Sequence, residues 1–323
     1  MLPRTSEYLT PAEIRRLRGR SNTMGALLVL HAWGTVAGAM ALFAWWPNPL
    51  TFVAAVMLIG TRQLGLAILM HDAAHGLLFA NRRLNDWAGQ WLCAWPVFTD
   101  LRRYRPYHLT HHRNTQQPND PDLGLSAPFP ITRASLRRKI VRDLTGRTAL
   151  QRRGEQFGRA MGPADLPRTA RLANLWRAEK GAFLANAALF SICAAAGAWY
   201  LYPLLWLLPL ATWYQLVSRI RNIAEHAVVP DNGDPLRNTR TTLAGLLERA
   251  FIAPYWVNYH LEHHLFIFVP CWRLPEAHRR MLEKGYGGRM ELRRGYAAVL
   301  RLAASRRAEP PGSAGERRGP QFI

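Results

Sequence analysis

The sequence predicts an all-α integral membrane protein: about four transmembrane helices, with a cytoplasmic helical cap holding a histidine-rich dimetal site. Three observations carry that expectation. Residues 21–61 contain no Asp, Glu, Lys or Arg, and neither do residues 181–218. Of 42 basic residues, 41 fall in residues 1–20, 71–180 and 219–323, segments that share one side of a four-span chain. Eight of the 11 histidines fall in three five-residue clusters.

Composition sets the outer limits. A chain of 323 residues, 49% hydrophobic and 20% charged, has ample material for a core and is neither disordered, collagen-like nor a disulfide scaffold. Cys93, Cys193 and Cys271 are odd in number and far apart. They read as reduced thiols, so a metal site here must use other ligands. The net charge of +21 suggests either nucleic acid or an anionic membrane surface as partner. The segregation of charge from apolar sequence selects the membrane, and no nucleic-acid partner is expected.

A membrane-crossing helix needs about 20 apolar residues, so each uncharged run holds two. Trp46-Pro47-Asn48-Pro49 breaks the first and Tyr202-Pro203 the second, giving spans near 24–46, 50–70, 182–200 and 204–220. Buried core helices of a soluble protein are the alternative, disfavoured by run length. The positive-inside rule makes the basic side cytoplasmic, with both termini on it. No cleavable signal peptide is expected, because the first apolar segment is long and runs straight into the second.

The remaining elements follow in order. Residues 1–20 form a cytoplasmic amphipathic segment, in which Thr10-Pro11-Ala12-Glu13 is a capping box opening an Arg-rich helix. Residues 21–305 form the main domain. Within it, residues 85–98, with Trp87, Trp91 and Trp95, are apolar but too short to cross. They read as re-entrant or interfacial, and a buried core helix would look the same. Residues 133–160 carry many Arg and are expected to cover the cytoplasmic face. Residues 306–323, rich in Pro, Gly and charge, read as a disordered tail. Arg62 is the only charge inside a span, nine residues before His71 and on the opposite side of the helix. A charge at that depth needs a partner: a group on another span, a polar stop in a substrate tunnel, or backbone carbonyls.

The histidines carry the chemistry. The clusters are His71-Asp72-Ala73-Ala74-His75, His108-Leu109-Thr110-His111-His112 and His260-Leu261-Glu262-His263-His264. Residues three and four apart share a helix face, so each His-x-x-His-His cluster is expected to present three imidazoles to one point. Eight imidazoles exceed what one tetrahedral zinc uses and suggest two metal ions. Asp72, Glu225 and Glu262 sit next to ligand candidates. Each can fix a ligating ring by accepting its second N–H, or can be an ordinary interfacial carboxylate. His31 and His278 stand alone and read as structural.

In this combination the sequence resembles the membrane-bound fatty acid desaturase and hydroxylase superfamily, the histidine-box di-iron proteins, over residues 20–300. H-D-x-x-H, H-x-x-H-H and H-x-x-H-H occur in that order with a pair of spans between them. Asn119-Asp120-Pro121-Asp122 follows the second box, Asn258-Tyr259 precedes the third, and Leu274-Pro275 lies beyond it. The resemblance adds His226, in Asn222-Ile-Ala-Glu-His226, as a ninth ligand, and Asn222 as a residue reaching a metal through water. It departs at Ile267, where many members have Pro after His-His-Leu-Phe. With no His-Pro-Gly-Gly word, no fused b-type cytochrome is expected, and His260 at the first position of box three argues against the front-end subclass.

The resemblance implies two iron ions (Fe2+/Fe3+) with dioxygen as co-substrate; imidazole spacing alone suits zinc and copper as well. The metal ligands would then be His71, His75, His108, His111, His112, His226, His260, His263 and His264. The implied activity is an oxidoreductase that introduces a double bond into the acyl chain of a membrane lipid or fatty acid. Electrons come from an external protein, ferredoxin-like or a b-type cytochrome, at the inner membrane of a bacterium. A hydroxylase or carotenoid ketolase of the same superfamily, a membrane zinc hydrolase, and a non-catalytic lipid- or metal-binding protein are the alternatives.

Overall fold

The computed structural model describes residues 5–307. The part of the expected tail from residue 308 onward lies outside the described residues. The chain opens with α1 (Pro11–Leu17), α2 (Asn22–Trp45), α3 (Pro49–Ala74), α4 (Arg82–Ala88) and α5 (Leu101–Asn114). Then come α6 (Leu123–Ser126), α7 (Arg133–Leu144), α8 (Arg147–Met161), α9 (Arg168–Ala195), α10 (Leu208–Ala211) and α11 (Trp213–His226). The last are α12 (Leu246–Phe251), α13 (His260–Leu265), α14 (Leu274–Glu283) and α15 (Tyr296–Ala303).

The caps explain where the first helices start. Glu13 Oε2 accepts the Thr10 N–H at 2.8 Å while Thr10 Oγ1 accepts the Glu13 N–H at 3.3 Å, which is the expected capping box. Asn48 Oδ1 accepts from the N–H groups of Leu50 and Thr51, so the Trp46–Pro49 turn joins α2 to α3 as a tight hairpin.

Helices α2 and α3 are long and apolar enough to cross a membrane. Helix α2 is apolar all round yet buries one stripe, Gly25, Leu28, Val29, Ala32, Val36 and Ala39, and leaves Leu30 and Trp45 exposed. A helix that is apolar on an unpacked face suits lipid rather than water. Helix α3 is the hub. From Ile59 to Ala74 all but Ala67 are buried, because α2, α5, α11 and the segment after α4 pack around it.

The second apolar run differs from expectation. Helix α9 ends at Ala195, and Gly197 turns the chain at φ +71°. Its N-terminal half carries Arg168, Arg171, Arg177, Glu179 and Lys180, which leaves an uncharged helical stretch of only residues 181–195. The next stretch is not one straight span: a π-turn at Pro203–Leu207 leads into α10, and the chain breaks at Thr212 before α11. Pro203 and Pro209 lack the N–H that an unbroken helix requires. Asn186 holds the pieces together, donating to carbonyls of Trp95, Pro96 and Ala182 and accepting from Tyr202 Oη and Trp206 Nε1.

Residues 85–98 form the end of α4, a π-turn (Gly89–Ala94) and a 3₁₀ turn (Trp95–Val97). They pack against α3 and α9. Gly181 permits the contact, since a Cβ there would lie 2.1 Å from the Trp95 ring. The Arg-rich stretch forms α7 and α8, packed on α11 and α9. A small correction to the all-α expectation is a parallel pair of strands, β1 (Thr241–Leu243) and β2 (Leu292–Arg294). Three residues are too few to show a two-residue period in the sequence.

Candidate metal centre

Four elements carry the nine histidines. His71 lies in the last turn of α3 and His75 is its C-cap. His108, His111 and His112 occupy the C-terminal half of α5, His226 ends α11, and box three is α13 itself. The structure gathers their donor atoms into two groups, within 4.8 Å inside each. One holds His71, His75, His108, His112 and His263; the other holds His111, His226, His260 and His264. The groups adjoin, with the His112 and His264 ring centroids 4.2 Å apart.

This corrects the expectation that each His-x-x-His-His cluster serves one point. Box two divides as His108 and His112 against His111, and box three as His260 and His264 against His263. At 100° per residue, the i and i+4 rings stand about 40° apart and point together. The middle ring stands about 100° from its successor, so it faces the other group.

The spacing within each group tests whether a cation fits. The Nε2 atoms of His75, His108, His112 and His263 follow one another at 2.9, 2.9 and 3.0 Å. Those of His226, His260 and His264 lie 2.8 and 3.0 Å apart. A neutral imidazole nitrogen carries one proton or one lone pair, so it cannot hydrogen-bond two such neighbours at once. A shared cation satisfies all of them. With metal–nitrogen bonds of about 2.1 Å, neighbouring donors lie about 3.0 Å apart at 90° and about 3.4 Å apart in a tetrahedron. The observed spacings match the first, and five donors exceed a tetrahedral set. Both ring nitrogens of buried His71 also lack any hydrogen-bond partner.

Electrostatics keeps the rings in the ligating form. Burial, reinforced by neighbouring rings and Arg221, holds His260 and His263 well below the ordinary imidazole range. Burial and adjacent rings do the same for His108, His112 and His264. Neutral imidazoles offer lone pairs. Three rings have Nδ1 occupied, which leaves Nε2 for the centre. His111 Nδ1 is 2.7 Å from Asp120 Oδ1, His260 Nδ1 is 3.3 Å from Glu225 Oε1, and His264 Nδ1 is 3.2 Å from Thr115 Oγ1.

The three carboxylates named from sequence part company here. Glu225 lies between His260 and Arg221, and burial raises its pKa to about 7 despite the guanidinium at 2.6 Å. Asp72 is 3.6 Å from His71 Nδ1, beyond a hydrogen bond; its Oδ2 accepts the Cys271 N–H at 2.9 Å and anchors the loop after box three. Glu262 touches no box histidine and accepts instead from Thr241 Oγ1 and His278 Nδ1. On a short helix its side chain points away from the rings at 260 and 264. His278 is therefore not a free-standing residue; it is buried and ties α14 to α13. Asp120 and Thr115 were missed, although Asp120 lies in the Asn-Asp-Pro-Asp word after box two.

Asn222 borders a small void of about 30 Å3 with His111, His226 and His260, room for one or two waters. A cleft of about 980 Å3 between α5 and α8 reaches that void at Tyr104, Leu125 and Asn222. At its far side Phe98, in a left-handed conformation at φ 56°, also borders an apolar groove of about 660 Å3 between α8 and α9. Phe98 thus borders both groove and cleft, and Tyr104, Leu125 and Asn222 border both cleft and void; Asp100, Arg103, Arg152, Glu155 and Arg159 also line the cleft.

The family model described as fatty acid desaturase matches residues 47–295. This chain belongs to the fatty acid desaturase family. It is 29% identical over 278 residues to dihydrorhizobitoxine desaturase of Bradyrhizobium elkanii, covering 82% of this chain and 77% of that one. It is 26% identical over 262 residues to the beta-carotene ketolase of a Paracoccus species, covering 78% of this chain and 87% of that one. Over a shorter stretch of 82 residues, 25% of this chain and 23% of the other, it is 32% identical to the sn-1 acyl-lipid omega-3 desaturase (ferredoxin) of a Synechocystis species. The family's desaturase relatives make this chain an oxidoreductase, and its two apolar helices suggest membrane association. The family's members are generally di-iron proteins, and the histidine groups of this chain fit a pair of cations by the donor spacing above.

Proposed function

We propose that this protein is an oxygen-dependent di-iron desaturase that introduces a double bond into the acyl chain of a membrane lipid or fatty acid. The nine box and accessory histidines hold the two irons, and Asn222 reaches one of them through water. The observation that carries this reading is the pair of imidazole groups beside a void, a cleft and an apolar groove that share lining residues in turn. Bound iron with dioxygen supplies the oxidising power for an unactivated C–H bond. Dioxygen takes four electrons and four protons and leaves as two waters: two of each come with the two hydrogens of adjacent methylenes, two electrons come from an external donor and two protons from solvent. The chain's own part is to hold the substrate and exclude water. Phe98 and the apolar wall from Phe157 to Phe190 receive the chain, and Tyr104 and Asn222 face its reacting segment. The ferredoxin in the name of the Synechocystis relative supports a ferredoxin-like donor, with a b-type cytochrome as the other class.

Oxygen insertion is the second reading, favoured by similarity to the beta-carotene ketolase. Five-donor coordination disfavours a tetrahedral zinc hydrolase. Iron and zinc content of the purified protein, with lipid and carotenoid profiles of cells with and without the gene, tests these together. About two irons per chain and a new double bond in lipid acyl chains are expected. Zinc in place of iron, or a change confined to carotenoids, overturns the leading reading.

The charge asymmetry supports an inner-membrane protein of a bacterium with both termini and all three boxes in the cytoplasm. A Cys placed at Asn48 is then expected to react with an impermeant thiol reagent from the periplasmic side, and one at Gln117 to resist it. The reverse pattern overturns that topology.

A further inference from the structure

Arg62 is not explained by the metal centre. It is only 6% exposed, and its Nη2 donates to the Ala250 carbonyl at 3.1 Å. Its guanidinium lies 5.4 Å from the centre of the Tyr255 ring. The buried Nε has no hydrogen-bond partner, and among the described residues no carboxylate pairs with the side chain. A buried charge without a counterion is costly, and the usual remedy is an anion.

The surroundings indicate which anion. Arg62 lines a cavity of about 510 Å3 between α2, α3 and α12, together with Leu28, His31, Leu246, Arg249 and Trp256. His31 Nδ1 is 3.0 Å from Tyr255 Oη, which fixes both rings beside Arg62. Two guanidinium groups and an imidazole therefore face one space with no acid among its lining residues. Around the mouth the surface is apolar: Leu246 and Leu247 on α12 are 84% and 75% exposed, and Leu30 on α2 is 67% exposed. Arg249, itself exposed on α12, breaks that apolar surface. An amphiphile suits both, with its charged group on the cations and its chain along Leu28, Leu58 and Leu246.

We propose that this cavity binds an anionic phospholipid of the surrounding bilayer, its phosphate held by Arg62 and Arg249 and steadied by His31. The site lies on the face of α3 turned away from His71, so the lipid is a resident that locks α12 against α2 and α3 rather than a substrate. The proposal rests on the membrane residence argued above and is independent of the iron chemistry.

The test uses the full chain purified in a neutral detergent. Lipid retained after detergent exchange is measured by native mass spectrometry, and melting is followed with added phosphatidylglycerol, phosphatidylcholine or inorganic phosphate. Wild-type protein is expected to retain phosphatidylglycerol and to melt higher when it is added, with no such shift from the other two. Arg62→Met is expected to bind it about tenfold more weakly or worse, as loss of a charge-assisted contact implies. Should Arg62→Met fail to fold, Arg249→Gln, at an exposed position, is expected to weaken retention without changing the fold. Equal retention in Arg249→Gln and wild type, or equal stabilisation by phosphatidylcholine, overturns the proposal. An identical shift from inorganic phosphate marks a soluble-anion site and overturns it too. A protein that needs no detergent refutes the membrane reading itself, a separate outcome.

Discussion

Replacing His111 by Ala is expected to abolish turnover and to lower bound iron from about two per chain to about one or fewer. His111 belongs to the four-donor group, so its loss removes a quarter of that set. The other group keeps its five. The effect should exceed the 10–100-fold loss in metal affinity that follows when only a ligand's supporting hydrogen bond is removed. Asp120→Ala supplies that milder comparison, because Asp120 Oδ1 holds His111 Nδ1 at 2.7 Å. Elemental analysis of purified protein reads both without knowledge of the substrate. Full iron content and full activity in His111→Ala would sink the ligand assignment. Selective loss from the four-donor group is what the divided boxes require, and a single three-histidine site per box would not produce it.

The division of the boxes marks how far sequence alone reaches. That eight histidines at three- and four-residue spacing meet somewhere follows from helix geometry, and it was legible. Which ring faces which group was not. It depends on how α3, α5, α11 and α13 pack, and those elements are up to about 190 residues apart along the chain. Asp120 lay within reach, since it follows His111 by nine residues in a conspicuous word. Glu262 misled for a geometric reason: adjacency in sequence puts its side chain on the opposite flank of a helix. The same limit applies to Arg62. Its position within an apolar run shows that it needs a partner, but the Ala250 carbonyl lies 188 residues downstream. The prolines at 203 and 209 were plain in the sequence, yet only packing decides whether a proline kinks a span or breaks it. Here the Trp199 carbonyl, four residues before Pro203, accepts the Tyr202 N–H instead, and Gln63 Nε2 donates to the Trp206 carbonyl at 2.7 Å.

Arg240→Met is expected to cost about 3–5 kcal/mol of stability, the range for removing one partner of a buried ion pair. The side chain is 1% exposed and every arm is used. Nε meets Glu291 Oε1 at 3.0 Å, Nη1 donates to the carbonyls of Ala224 and Ala227, and Nη2 donates to that of Val228. Those carbonyls sit where α11 ends and would otherwise have no helical partner. Met fills similar volume but leaves three buried carbonyls without that donor and the Glu291 carboxylate with only the half-exposed Arg293, 3.0 Å away. Lys does not rescue it, because one ammonium cannot reproduce the planar fork. The exposed pair of Arg279 and Glu283, 3.6 Å apart, is the control: Arg279→Ala should shift melting hardly at all. Because His226 is the last residue of α11, the Arg240 variant should also lose metal from the four-donor group before it unfolds globally. Melting curves and iron content of Arg240→Met, Arg240→Lys and Arg279→Ala, measured side by side, decide it. An Arg240→Met protein that melts with wild type would mean that Gln116, which donates to the His226 carbonyl, and the packing of α15 and β1 hold the end of α11, and that the guanidinium only fills space.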